Sequence, residues 1–357
     1  MKRPFALIGI TYLSVQAALF YLESDLAAAI LTAVCFIGTI VSLFILKNRN
    51  LRHTVLGFCL TAAFASTIFS GYNIFVKQPI VDKYSEREIY VTATVLEQPT
   101  VQYDTYRYLI ETDSINGKIE KLKICLSTIN ELNVEEFDRI SCVLPLKECT
   151  KSQMIADGAF LQASVNKNFA YIVKKTDDKP LYYQAVKIRE NFADSFEQNM
   201  SQDCASLCRA VLLGEKTALS QEIQNDFTRC GVSFLIVVSG MHLAIISSFV
   251  FLCIKKIIKN RVLRSMIMLM CAFSFMAVTG FAPSVVRAGV MLAVVYSGKM
   301  FMRKGDSLNS LGIAALILTV PNPTAVADVG MLLSFTATLG IILWARKISV
   351  YIMGKFA

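Results

Sequence analysis

Apolar residues in this chain gather in runs too long for the core of a soluble protein of ordinary design. Stretches 5–22, 26–46, 54–76, 232–254, 265–282 and 324–345 each hold about 18 or more mostly apolar residues, and 283–302 is a less clean seventh. Such a run matches the hydrocarbon thickness of a bilayer, where a backbone must satisfy its own hydrogen bonds, so each is read as a membrane helix. A shorter run, 307–320, is either a tilted span or a re-entrant piece. Lys2 and Arg3 ahead of the first run also resemble a secretory signal peptide. The second and third runs follow within a few residues, so an uncleaved first helix is the simpler reading.

The formal charge of +9 invites a nucleic-acid reading until its location is considered. Residues 86–175 hold 11 Lys/Arg against 13 Asp/Glu, a net of −2, and the rest of the chain carries +11. That excess flanks the apolar runs: Lys47, Arg49 and Arg52; Lys255, Lys256, Lys259, Arg261 and Arg264; Arg303 and Lys304; Arg346 and Lys347. The alternate connections, 23–25, 280–282 and 321–323, carry no positive charge. The positive-inside rule then puts the amino terminus in the cytoplasm and 77–231 outside.

The external segment changes pattern twice. Residues 89–96, 106–112, 118–126 and 139–146 read as strands separated by turn residues such as Asn116-Gly117, and suggest a small β-barrel over 86–175, with an OB-like fold as one candidate. Tyr106 and Tyr108 share one strand face and are candidates for stacking on exposed bases; the competing reading makes them half-buried barrel residues, which the acidic net charge favours. Over 180–230 the pattern is helical, with Tyr182, Val186, Ile188, Phe192 and Phe196 set among charges as in an amphipathic helix lying on the outer surface. Residues 1–76 and 231–357 are the two membrane blocks. The fold class expected is therefore a polytopic α-helical membrane protein with an inserted external β-barrel.

Several chemistries are disfavoured. Ten cysteines form no Cys-x-x-Cys pair or His/Cys cluster, so neither a metal site nor a cofactor is indicated. The external six, Cys125, Cys142, Cys149, Cys204, Cys208 and Cys230, permit a disulfide without fixing its pair. Gly214-Glu215-Lys216-Thr217 echoes a phosphate loop but lacks its spacing. With His53 and His242 as the only histidines, a His-based triad is disfavoured, and the chain is expected not to be an enzyme.

Polar and small residues inside the second membrane block remain: Ser239, Gly240, His242, Ser284, Arg287, Asn309, Asp328 and Ser334. Such residues normally face a bundle interior or water, or make hydrogen bonds between helices. If 232–254 is one straight helix, His242 lies about 15 Å from its start, close to the midplane. Arg287 lies roughly 6 Å from the outer end and either lines a path or snorkels outwards, and Asp328 reads as an external helix-start residue.

In order along the chain, Leu212-Leu213-Gly214-Glu215, Phe227, Gly231, Leu235 to His242, Gly280 to Met291, Asn322-Pro323 and Asp328 to Phe335 resemble the ComEC-type competence family. Asp157-Gly158-Ala159-Phe160-Leu161 is similar to the end of that family's OB-like domain. Two positions depart from its pattern: Met331 follows Gly330 where Phe is usual, and Phe137-Asp138 stands for a Gly-Asp turn. Family members usually continue through more membrane helices, and many end in a metallo-β-lactamase-like domain that is not seen here, so the resemblance identifies this chain as an amino-terminal portion without that domain's nuclease.

The resemblance implies a bacterial inner-membrane channel for single-stranded DNA in natural transformation, working with an external DNA receptor and a cytoplasmic ATP-driven motor. A charged strand needs a polar lining to cross hydrocarbon, and His242, Arg287, Ser239 and Ser284 are the residues read as supplying it, with Arg287 at phosphate near the outer mouth and Ser239, Gly240 and His242 shaping a break near the midplane. A small-solute secondary transporter with broken helices, and a truncated non-transporting remnant, are the alternatives.

Overall fold

The computed structural model describes residues 3–22, 25–44, 49–97, 99–102, 105–166, 169–175, 182–215, 219–236, 238–301 and 306–356. Lys216 and Thr217 of the phosphate-loop echo, and Lys47, Arg303 and Lys304 of the basic connections, lie outside them. The chain opens with α1 (Pro4–Leu22), α2 (Asp25–Phe44) and α3 (Arg49–Tyr72). A π-turn at Asn73–Lys77 carries α3 into α4 (Gln78–Tyr84), making one helix of 34 residues from Leu51. At 1.5 Å per residue it is roughly 50 Å long, well beyond a hydrocarbon core. The extension runs past the apolar stretch because Ile80 and Tyr84, one turn apart, bury against the barrel core.

That barrel is built from β1 (Arg87–Val95), β2 (Thr100–Gln102), β3 (Thr105–Ile115), β4 (Lys118–Ile119), β5 (Lys123–Thr128) and β6 (Arg139–Glu148), then the short α5 (Ser152–Ala156), β7 (Ala159–Val165) and β8 (Tyr171–Lys174). Pairing runs β1-β3-β5-β7-β6 and back to β1, closing five strands into a ring in which only β5 and β7 are parallel. Ile89, Val91, Ala93 and Val95 alternate inward along β1, as a strand with one buried face requires. Asn116 and Gly117 both take positive φ (48° and 79°), the conformation of a tight hairpin turn.

The third segment holds α6 (Tyr183–Asn199), α7 (Gln202–Cys208), a π-turn at Arg209–Leu213, α8 (Gln221–Arg229) and a 3₁₀ turn at Ser233–Ile236. The second membrane block follows as α9 (Gly240–Ile257), α10 (Arg261–Val278), α11 (Pro283–Met300), α12 (Ser307–Thr319), a 3₁₀ turn at Pro323–Ala327 and α13 (Val329–Phe356). α11 touches α9, α10, α12 and α13 and so forms the centre of this block. α12 lies along α1 at backbone contact: a Cβ on Gly9 would sit 2.1 Å from the carbonyl oxygen of Gly312.

Five of the described helical stretches are long and apolar enough to cross a membrane: α1, the 51–84 helix, α9, α10 and Val329–Tyr351 of α13. The protein is a multi-pass helical membrane protein with a small closed barrel. Its two ends differ. Phe20, Tyr72 and Ala327 pack with Leu109, Cys149 and Phe160 of the barrel at one end, whereas Arg52, Lys255, Lys256, Arg261 and Arg264 mark the other. All ten cysteines are free thiols, with Cys125, Cys142 and Cys149 buried in and beside the barrel.

One expectation is corrected in its position. The break at Ser239–His242 does not lie midway through a span over 232–254: Ser239 is extended (φ −129°, ψ 166°) and α9 begins only at Gly240, so the break stands at the start of the membrane helix. An unbroken apolar composition did not mean an unbroken helix, because Gly231 takes a left-handed φ of 71° and Ser239 caps a new start.

Candidate functional site

His242 is the third residue of α9, about 4.5 Å along its axis, so it stands at the barrel end of the bundle and not midway through a span. The depth derived from a straight helix is thereby corrected. Ser239 donates its backbone N–H to His242 Nδ1 at 3.1 Å, and the Ser239 hydroxyl lies 3.1 Å from the same nitrogen. The histidine thus fills the place that Glu or Gln holds in a capping box, satisfying an amide that the helix start leaves unpaired. A ring nitrogen that accepts this bond carries no proton, so the donor of the neutral ring is Nε2.

Ser284, in the first turn of α11, donates its hydroxyl to the Val238 carbonyl at 2.7 Å and ties the break to the neighbouring helix. Gly240 permits close approach there, since a Cβ on it would meet that of Ala288 at 2.8 Å. One turn below Ser284, Arg287 is 9% exposed and donates from Nη1 to Asp328 Oδ2 at 2.8 Å, while its Nε has no hydrogen-bond partner among the described residues. Asp328 uses its other oxygen to accept the Gly330 amide at 2.8 Å, capping α13. Its reading as a helix-start residue agrees with this geometry; Arg287 does not snorkel but is paired inside.

Arg287 and Asp328 border a cavity of about 240 Å³ between the barrel and the bundle, lined also by Gln153, Asp157, Phe281 and Met331 among others; Ser239, Gly240, His242 and Ser284 are not in its wall. Asp157 ends α5 and its carbonyl accepts Lys123 Nζ at 3.1 Å. Burial pushes its carboxyl up to about 6; Lys123 opposes that rise and the charge of Asp328 adds to it. Met331, where the resembled family usually has Phe, is 4% exposed and forms part of the wall.

The barrel is held over this cavity by contacts that composition and spacing did not reveal. Asn322 Nδ2 donates to the Ala156 carbonyl at 2.6 Å and the Thr324 hydroxyl to the Ile155 carbonyl at 2.9 Å, satisfying the carboxyl-terminal carbonyls of α5. The usable signal was the turn-forming Asn-Pro-Thr sequence, though not its partner. On the far side Arg189 of α6 is buried and bonds Glu136 of the barrel, and lies 3.2 Å from Glu215, which also receives Arg209 Nε at 2.9 Å. Burial raises the Glu136 carboxyl, and Arg189 opposes the rise. Gly280 (φ 67°) accommodates the guanidinium, because a Cβ there would lie 2.9 Å from Arg189 Nη1. Phe137, standing for the glycine of the Gly-Asp turn, does take a left-handed φ of 70°, with its ring 5.8 Å from that of Tyr182.

Other candidates fall elsewhere. Asn309 is at the basic end, accepting the Ala6 amide at 3.1 Å beside the Arg3–Asp306 ion pair. Ser334 is half-buried on α13, six residues past Asp328, and no side-chain bond ties it to the cavity residues described above. Tyr108 is 1% exposed inside the barrel, its hydroxyl accepting the Leu132 amide at 2.8 Å, and Tyr106 packs half-buried against the same core. Neither gives a base the open ring face that stacking needs, because their shared strand face is the inner one.

Residues 211–356 match the family model described as Competence protein. The chain is similar to ComE operon protein 3 of Bacillus subtilis (strain 168), at 24% identity over 161 residues that cover 45% of this chain and 21% of that protein. It thus aligns with about a fifth of that relative's length. No solved structure gives a significant match. The segment similar to the competence family contains the Ser239–His242 break, Ser284, Arg287 and Asp328.

Proposed function

We propose that this chain is a membrane channel component for the uptake of single-stranded DNA in natural transformation. The observation that carries the reading is the buried Arg287–Asp328 pair on the wall of a cavity at the barrel end of a competence-family bundle, one helical turn of α11 from Ser284, which holds the Ser239–His242 break through the Val238 carbonyl. A strand with one charge per nucleotide needs a polar, wet entry to cross hydrocarbon. Arg287 supplies donors for a phosphate: Asp328 engages Nη1 and leaves Nε unpartnered, and a guanidinium offers five N–H groups. Passage requires the barrel end of the bundle to widen, and the non-helical backbone at 238–239 provides a joint where α9 can pivot.

In this reading the barrel faces the outside of a bacterial inner membrane and the amino terminus faces the cytoplasm, since the basic connections cluster opposite the barrel. An external receptor delivers the strand, a cytoplasmic ATP-driven motor pulls it, and the chain itself performs no bond chemistry. Transformation frequency in the native host, measured with Arg287→Ala and His242→Ala at wild-type membrane levels, tests the reading. We expect both to lose most of their uptake; wild-type frequency in both removes the site from the pathway.

A further inference from the structure

α6 has three sectors. At about 100° per residue, Val186, Arg189 and Ala193 form the sector that is buried in the protein. Beside them on one flank lie Ala185, Ile188, Phe192 and Phe196, with Ile188 47% and Phe192 51% exposed. On the opposite flank lie Lys187, Glu190, Asp194 and Glu197, all exposed. A helix in water has no reason to separate its outward residues into an apolar and a charged side.

The neighbours of α6 say what lies against the apolar flank. α6 touches α10, and the ring of Tyr182 at its start is 5.3 Å from Phe281, which is 5.9 Å from Phe273 of α10. α10 is long and apolar enough to cross a membrane, and its Met266, Met270 and Phe273 are 50%, 69% and 60% exposed, a stripe that the described residues leave open and that suits hydrocarbon. The chain of rings joins that stripe to α6 at the end of α10 remote from the basic connections, where hydrocarbon gives way to headgroups.

We propose that α6 is an interfacial helix, its Ile188–Phe192 flank resting in the headgroup–acyl boundary of the leaflet on the barrel side and its Glu190–Asp194 flank in water. The contact is with lipid, and it fixes the height of the barrel above the bilayer through Arg189, which links α6 to Glu136 of the barrel. This does not depend on DNA being the cargo.

The single tryptophan of the chain makes the test direct. With Trp344 changed to Phe, one tryptophan is placed at a time by Ile188→Trp, Phe192→Trp or Asp194→Trp in the full chain. Each variant is reconstituted in phosphatidylcholine–phosphatidylglycerol vesicles, with and without bromine on the acyl chains. We expect Ile188→Trp and Phe192→Trp to emit at shorter wavelength and lose most of their emission to brominated chains, and Asp194→Trp to be quenched by aqueous iodide instead. Iodide quenching at 188 and 192 equal to that at 194 overturns the proposal. So does protection of 188 and 192 from both quenchers, which would mean that protein covers the flank. If one of these two variants fails to fold, the other still decides the outcome.

Discussion

Arg287 Nη1 donates to Asp328 Oδ2 at 2.8 Å, joining the first turns of α11 to the cap of α13 across 41 residues of sequence. The side chains are 10% and 23% exposed, so the pair is mostly withdrawn from water. Removing one partner leaves the other charge uncompensated. We expect Arg287→Leu or Asp328→Leu to cost about 2–3 kcal/mol, somewhat below the range for fully buried pairs. The double variant should recover most of that loss, and thermal unfolding in detergent checks both statements.

Asn322 and Thr324 give a separable prediction, because they cap α5 without lining the core of the barrel. Asn322→Ala and Thr324→Ala should each weaken docking by about 1 kcal/mol. Amide exchange should rise at Ala156 and Asp157 while the central strands β1 and β6 keep their protection. Equal loosening throughout the barrel argues against a local clamp.

Asp157 makes the junction sensitive to acid. Its folded value of about 6 lies above the ordinary 3.8, so the folded protein binds the proton more tightly than the unfolded chain does. Stability from this group is fully present below pH 3.8 and is lost as pH rises to about 6. Asp157→Asn should therefore remove a downward step in stability across that window and raise the unfolding temperature at neutral pH.

Apolar run length identified the helical blocks because a bilayer permits the spanning backbone few alternatives. Alternation likewise marked the barrel strands, but period two cannot say which face points inward, and Tyr106 and Tyr108 were inner residues. His242 was misplaced in depth for a related reason: apolar composition is blind to a cap that divides a run, and Ser239 is recognisable as a cap only once the turn before it is seen. Asn309 looked like its companions, yet α12 runs in a direction that sends its start to the basic end. The Asn322–Ala156 contact spans 166 residues, a pairing that no local pattern encodes.

Tyr108 separates a structural residue from a binding one. Tyr108→Ala should destabilise the barrel by about 3–5 kcal/mol, as large-to-small changes in a core do, while Tyr108→Phe should cost only about 1 kcal/mol for the lost acceptor of the Leu132 amide. Neither effect depends on DNA, and identical denaturation midpoints with and without added single strands check this.

The central claim is that an entering strand passes the cavity bordered by Arg287 and Asp328. A photo-crosslinking amino acid at Met331, on the cavity wall, and in separate cells at Met270, 69% exposed on the outer side of α10, tests it during uptake of labelled DNA. The account predicts labelled adducts from position 331 and none from 270. Adducts at 270 alone, or none at 331 in cells that still transform, would contradict it.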